Sequence, residues 1–87
     1  DFNRSAIEDR IEKAAAYLGI PNGFNGFRAA IMDLRAKLGI PANLTAMGVD
    51  PARLDELTDM ALEDPSCGGN PIEMTFENTR ALFASCM

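Results

Sequence analysis

Leu18-Gly19-Ile20-Pro21, and its second copy Leu38-Gly39-Ile40-Pro41, decide how this chain is divided. Each reads as a helix stop. Glycine takes the left-handed position after the last turn, isoleucine folds back on that turn, and proline forbids continuation. Upstream of the first copy, Ile7, Ile11, Ala14, Ala15 and Leu18 recur at helical spacing, with Glu8, Asp9, Glu12 and Lys13 facing away. This spacing predicts a helix over residues 5–18. Upstream of the second copy, Phe24, Phe27, Ile31, Leu34 and Leu38 form one stripe of a second helix, with Asn22 or Asn25 available as its cap. The short loop between the two favours roughly antiparallel neighbours that share a core. The residues after the two copies, Asn22-Gly23-Phe24-Asn25 and Ala42-Asn43-Leu44-Thr45, do not match. The motif is therefore one capping solution used twice, not a solenoid repeat.

Beyond Pro41 the chain reads as a loop with one helical turn, Leu44 to Met47, ended by Gly48. Asp50-Pro51 opens a third helix: aspartate accepts backbone donors as N-cap, and proline suits the first helical position. Leu54, Leu57 and Ala61 form its apolar face, and Asp64-Pro65 ends it. The loop from Ser66 to Met74 contains Gly68-Gly69-Asn70-Pro71, and Thr75 caps a last helix carrying Thr79, Leu82, Phe83 and Cys86. No stretch alternates with period two, so no strand is predicted. The expected fold is all-α, a small bundle of four main helices, with residues 1–87 as a single helical domain or subdomain.

The composition excludes several function classes. A net charge of −5, with basic residues scattered from Arg4 to Arg80, argues against nucleic acid, which demands clustered cations. No apolar run has the length of a membrane span. Two cysteines, Cys67 and Cys86, do not make a disulfide framework, and with no leader-like opening a reducing cytoplasm is expected. Histidine is absent altogether. That removes the commonest general base, the usual triads and the best transition-metal ligand.

What remains for chemistry is sparse. Glu56, Asp59 and Glu63 share a face of the third helix, but a calcium loop would offer oxygens at alternate positions, so they read as a solvated acidic face. Cys67 lies in an accessible glycine loop, yet Glu63, Asp64 and Glu73 nearby disfavour a thiolate, and there is no histidine to pair with it. Gly68-Gly69 lacks the spacing of a phosphate-binding loop and follows no strand; it reads as a place where backbone comes close to another helix or a ligand. No complete catalytic set is present.

Several segments in order resemble the C-terminal part of the iron-containing (group III) alcohol dehydrogenases. These are Phe2-Asn3-Arg4, Gly39-Ile40-Pro41, Leu44-Thr45-Ala46-Met47-Gly48-Val49, the acidic helix from Asp50 to Leu62, the stretch from Glu63 through Gly69-Asn70-Pro71, and Thr75 to Met87. The resemblance implies a two-domain enzyme. An N-terminal α/β domain would bind NAD(P). A helical C-terminal domain would hold Fe²⁺ or Zn²⁺ through an aspartate and three histidines, the metal polarising the substrate oxygen while hydride passes to or from the nicotinamide.

This chain carries none of those histidines and none of the nucleotide-binding glycines, so the resemblance implies a fragment whose last upstream histidine ligand lies just before Asp1. Its partners would be the rest of the dehydrogenase chain and, through it, a small alcohol or aldehyde; alone it would bind neither NAD(P) nor metal, and its exposed apolar surface would favour self-association. In relatives, the residue four before the asparagine of the Asn-Pro loop can face the substrate pocket. Here that residue is Ser66, and some relatives have cysteine where this chain has it one position later, at Cys67. The resemblance thus implies a pocket wall of Ser66, Cys67 and Gly68. The alternative is a free-standing helical interaction module that presents Phe24, Phe27 and Ile31 to a partner helix.

Overall fold

The expected stop at Leu18-Gly19-Ile20 forms in full. In the computed structural model, which describes residues 1–87, helix α1 runs Arg4–Tyr17 and closes with Gly19 at φ +70°. The Ile20 N–H donates to the Ala15 carbonyl at 2.9 Å, and the Gly19 N–H to the Ala16 carbonyl at 3.2 Å. This is the paired Schellman pattern, which satisfies carbonyls left over at the helix end. Helix α2, Gly23–Lys37, repeats it: Ile40 N–H to Arg35 at 3.0 Å and Gly39 N–H to Ala36 at 3.0 Å. Helix α3 spans Leu54–Glu63 and helix α4 spans Phe76–Ser85, with short 3₁₀ turns at Thr45–Met47, Pro51–Arg53 and Pro65–Gly69. The chain is all-α, with four helices and no strand.

The chain divides into two compact units, one of Asp1 and Asn3–Ile40, the other of Phe2 and Pro41–Met87. In the first, α1 and α2 pack through Ala15 and Phe24, the buried residues of the pair. Their contacts run in antiparallel order and are shifted toward the start of α1. Gly23 lies against the Glu12 side chain, Arg4 Nη1 donates to Asn25 Oδ1 at 3.1 Å, the Arg4 guanidinium sits 4.4 Å from the Phe24 ring centroid, and Asp1 pairs with Arg28.

The turn between the two helices is tight. Asn22 and Gly23 both take positive φ, and the Pro21 carbonyl is driven against Gly26, where a Cβ would lie 1.7 Å from its oxygen. Only glycine admits that approach. The packing corrects the sequence reading at one point: of the stripe Phe24, Phe27, Ile31, Leu34 and Leu38, only Phe24 is buried and Phe27 half-buried, while the last three are exposed. Asn22 occupies the N-cap position without a side-chain cap bond, and Asn25 accepts from Arg4 instead of capping.

In the second unit α3 packs on α4, and the most buried residue of each is a threonine, Thr58 and Thr79. Leu54, Leu57 and Ala61 are half-buried around them, as are Leu82 and Phe83, whereas Cys86 is exposed. The Thr58 hydroxyl donates to the Leu54 carbonyl at 2.7 Å, which makes its burial affordable, and no buried side-chain polar atom lacks a partner. Thr75 caps α4 as expected, whereas Asp50 caps the 3₁₀ turn Pro51–Arg53 that leads into α3 and not α3 itself. Ala52 N–H donates to Asp50 Oδ1 at 2.9 Å, and Thr75 forms a reciprocal capping box with Asn78.

Candidate functional site

The segment after α3 carries the residues that the sequence singled out as a pocket wall. Asp64 leaves helical geometry with ψ 124°, and its Oδ1 accepts from the Ser66 N–H at 2.7 Å and the Ser66 hydroxyl at 2.5 Å. Asp64 thereby caps the 3₁₀ turn Pro65–Gly69, so the predicted loop from Ser66 onward begins as helix-like backbone. The hydroxyl bond first, and the backbone bond second, hold the Asp64 carboxyl below the usual aspartate range. An exposed carboxylate of that kind is ionised at neutral pH and is a weak base.

After the turn, Asn70 takes extended backbone, and its Nδ2 donates to the Ile72 carbonyl at 2.7 Å and meets Met74 Sδ at 3.2 Å. The turn, the end of α3 and the strap Asn70–Met74 enclose an open recess of about 490 Å³. Ser66, Cys67, Asn70 and Met74 line it together with Asp64 and Ala61. Of the three residues singled out from sequence, Ser66 and Cys67 reach the recess, and Gly68 is not among its lining residues. The contributions of Asn70 and Met74 were not legible, because they depend on how the strap folds back; Asp64 had a signal in its Asp-Pro-Ser context, which marks a side-chain cap. Cys67 is half-buried, Cys86 exposed, and both are free thiols.

The recess presents the Ser66 hydroxyl, bonded to Asp64, the Cys67 thiol, the Asn70 amide, bonded to the Ile72 carbonyl, and the Met74 thioether. Glu56, Asp59 and Glu63 do not form a cation site. Glu56 is engaged by Arg53 through two bonds of 2.7 and 2.8 Å, which together with the Arg53 charge keep its carboxyl low, and no three histidine, cysteine or acidic side chains converge on one point. The donor set needed for a catalytic iron or zinc does not fit onto these residues, since the sequence supplies no histidine. No helix is long and apolar enough to cross a membrane.

Comparison with known proteins places this arrangement in context. The chain is similar to a maleylacetate reductase from Rhizobium sp. (strain MTP-10005), with 31% identity over 74 residues. That alignment takes in 85% of this chain and 20% of the relative, so the chain spans about one fifth of the length of the curated relative it matches. No solved structure matches it significantly. Residues 1–87 match, from end to end, the C-terminal part of the Fe-containing alcohol dehydrogenase family, and the chain belongs to that family.

Proposed function

We propose that this chain is the C-terminal helical part of an NAD(P)-dependent, metal-dependent dehydrogenase that interconverts alcohols with aldehydes or ketones by hydride transfer. The observation that carries the reading is the family match over all of residues 1–87. The similar maleylacetate reductase adds a direction, reduction. The nucleotide and the Fe²⁺ or Zn²⁺ are held by residues outside this segment. Its own contribution is to buttress the helices that carry the metal ligands and, through Ser66 and Cys67 with Gly68 beside them, to wall the substrate pocket. Two unpaired thiols suit a reducing compartment, and we assign the enzyme to the cytoplasm.

The test is made on the full-length enzyme, by following NADH and NADPH oxidation with maleylacetate and with simple aldehydes. Turnover that disappears on chelation and returns with Fe²⁺ or Zn²⁺ supports the reading. A pocket-wall role further predicts that Ser66→Ala and Cys67→Ala change KM for the carbonyl substrate more than kcat and leave KM for the nucleotide unchanged. A full-length protein that oxidises neither nucleotide with any carbonyl compound overturns it.

A further inference from the structure

The far half of α2 is an apolar face without a cover. Phe24, Phe27, Ile31, Leu34 and Leu38 advance by three or four residues and so form one continuous stripe. The contacts with α1 fall in the first turns of α2, and from Arg28 to the end of the helix every residue but Arg35 is exposed. Leu34 is 54% and Leu38 66% accessible. Asp33 and Lys37 lie off the stripe and pair with each other at 2.6 Å, while the half-buried Arg35, four residues after Ile31 and three before Leu38, borders it. An apolar face of this continuity marks a contact surface.

We propose that Ile31, Leu34 and Leu38 form the docking face for the segment of the full-length enzyme that immediately precedes Asp1. This rests on the reading above that the chain is the C-terminal part of a longer enzyme. Two observations select that occupant over a second copy. The chain spans only 20% of its maleylacetate reductase relative, so most of such an enzyme lies outside these residues. In addition, Asp1 is held on α2: its two carboxylate oxygens accept from Arg28 Nε at 2.6 Å and Nη2 at 2.7 Å.

Chain entering at Asp1 therefore arrives beside Arg28, three residues before the bare stripe begins at Ile31. From Ile31 to Leu38 the stripe is roughly 10 Å long at the helical rise of 1.5 Å per residue. A segment of about a dozen residues with apolar side chains at helical spacing covers it, ridge into groove.

Photo-crosslinking in the full-length enzyme tests this, with benzoylphenylalanine in place of Leu34 and the linked peptide identified by mass spectrometry. The expected product joins position 34 to the peptide just upstream of Asp1 within the same chain. Crosslinks to residues 41–87, or to a second copy in a mixture of light and heavy protein, overturn the proposal. Where that variant fails to accumulate, Leu38→Cys is compared with Lys37→Cys for maleimide labelling of the full-length enzyme. Labelling at least ten-fold slower at 38 is expected, and equal rates overturn the docking. Nucleotide oxidation by the unmodified enzyme is measured beside it, so a protein that is crosslinked as expected but inactive overturns only the assigned reaction.

Discussion

The backbone N–H of Leu44 donates to the carbonyl oxygen of Cys86 at 2.8 Å, and one residue further the Thr45 hydroxyl donates to the Met87 carbonyl at 2.9 Å. The loop that follows the second helix stop is thus tied to the end of α4. Helix C-termini leave carbonyls without intrahelical partners, and this loop supplies a donor at the cap, Cys86, and another to Met87 just beyond it. Nothing near Leu44 in sequence announces the bond, because its partner is more than forty residues away.

That tie makes the Leu44 amide protected in hydrogen exchange although its surroundings are loop. Thr45→Val removes the second bond and is expected to cost about 1 kcal/mol. The effect is read as exchange at Leu44 raised by about five-fold, with the amides of α3 unchanged. An unaltered Leu44 rate would mean that the hydroxyl bond contributes nothing.

Gly26 and Gly19 separate two reasons for glycine. At Gly26 a methyl group would meet the Pro21 carbonyl at 1.7 Å, so Gly26→Ala forces the turn off the helix and is expected to cost about 3 kcal/mol. At Gly19 nothing lies within 4 Å, but φ is +70°, so Gly19→Ala carries only backbone strain of about 1 kcal/mol. Denaturant melts of both variants decide it. Equal losses would show that the turn yields easily.

Thr75 opens α4 by accepting from Asn78 N–H at 3.2 Å, while Asn78 Oδ1 accepts from Thr75 N–H at 2.8 Å. Thr75→Ala breaks one half of the box and is expected to lower stability by about 1 kcal/mol; Thr75→Ser restores most of it. A melting midpoint insensitive to all three residues would remove the cap from the account of this helix.

Asp64 titrates below the usual aspartate range because Ser66 bonds its charged form. A depressed carboxylate adds stability above its unfolded pKa, near about 3.9, and that contribution is lost as the pH falls through the lowered folded value. Ser66→Ala keeps the backbone bond and removes the hydroxyl. The Asp64 carboxyl, followed by NMR, is therefore expected to move upward toward the ordinary value without reaching it. No movement would assign the depression to the backbone N–H alone.

Local signals carried much of this architecture. Both Leu-Gly-Ile-Pro stops, the Asp50-Pro51 opening, the turn ended at Gly48 and the Thr75 cap stand where the sequence placed them, because each acts within one helical turn of itself. Ser66 and Cys67 were legible as neighbours in a loop. Their recess was not, since it needs Asn70 to fold back onto Ile72 and Met74.

By itself, then, the sequence determined four helices, their ends and the family, for these depend on residue type at short spacing. Tertiary structure decided which apolar residues are core. Phe24 and Ile31 belong to one stripe of equal periodicity, yet one is buried and the other is 45% accessible. The difference lies in the partner: the side-chain contacts from α1 and its preceding residues, Arg4 with Phe24 and Asn25 and Asp1 with Arg28, all fall before Ile31. Likewise Thr58 and Thr79, polar by type, are the most buried residues of α3 and α4, because small side chains let the two helices approach. Periodicity specifies a face; only the packing partner specifies how much of it is covered.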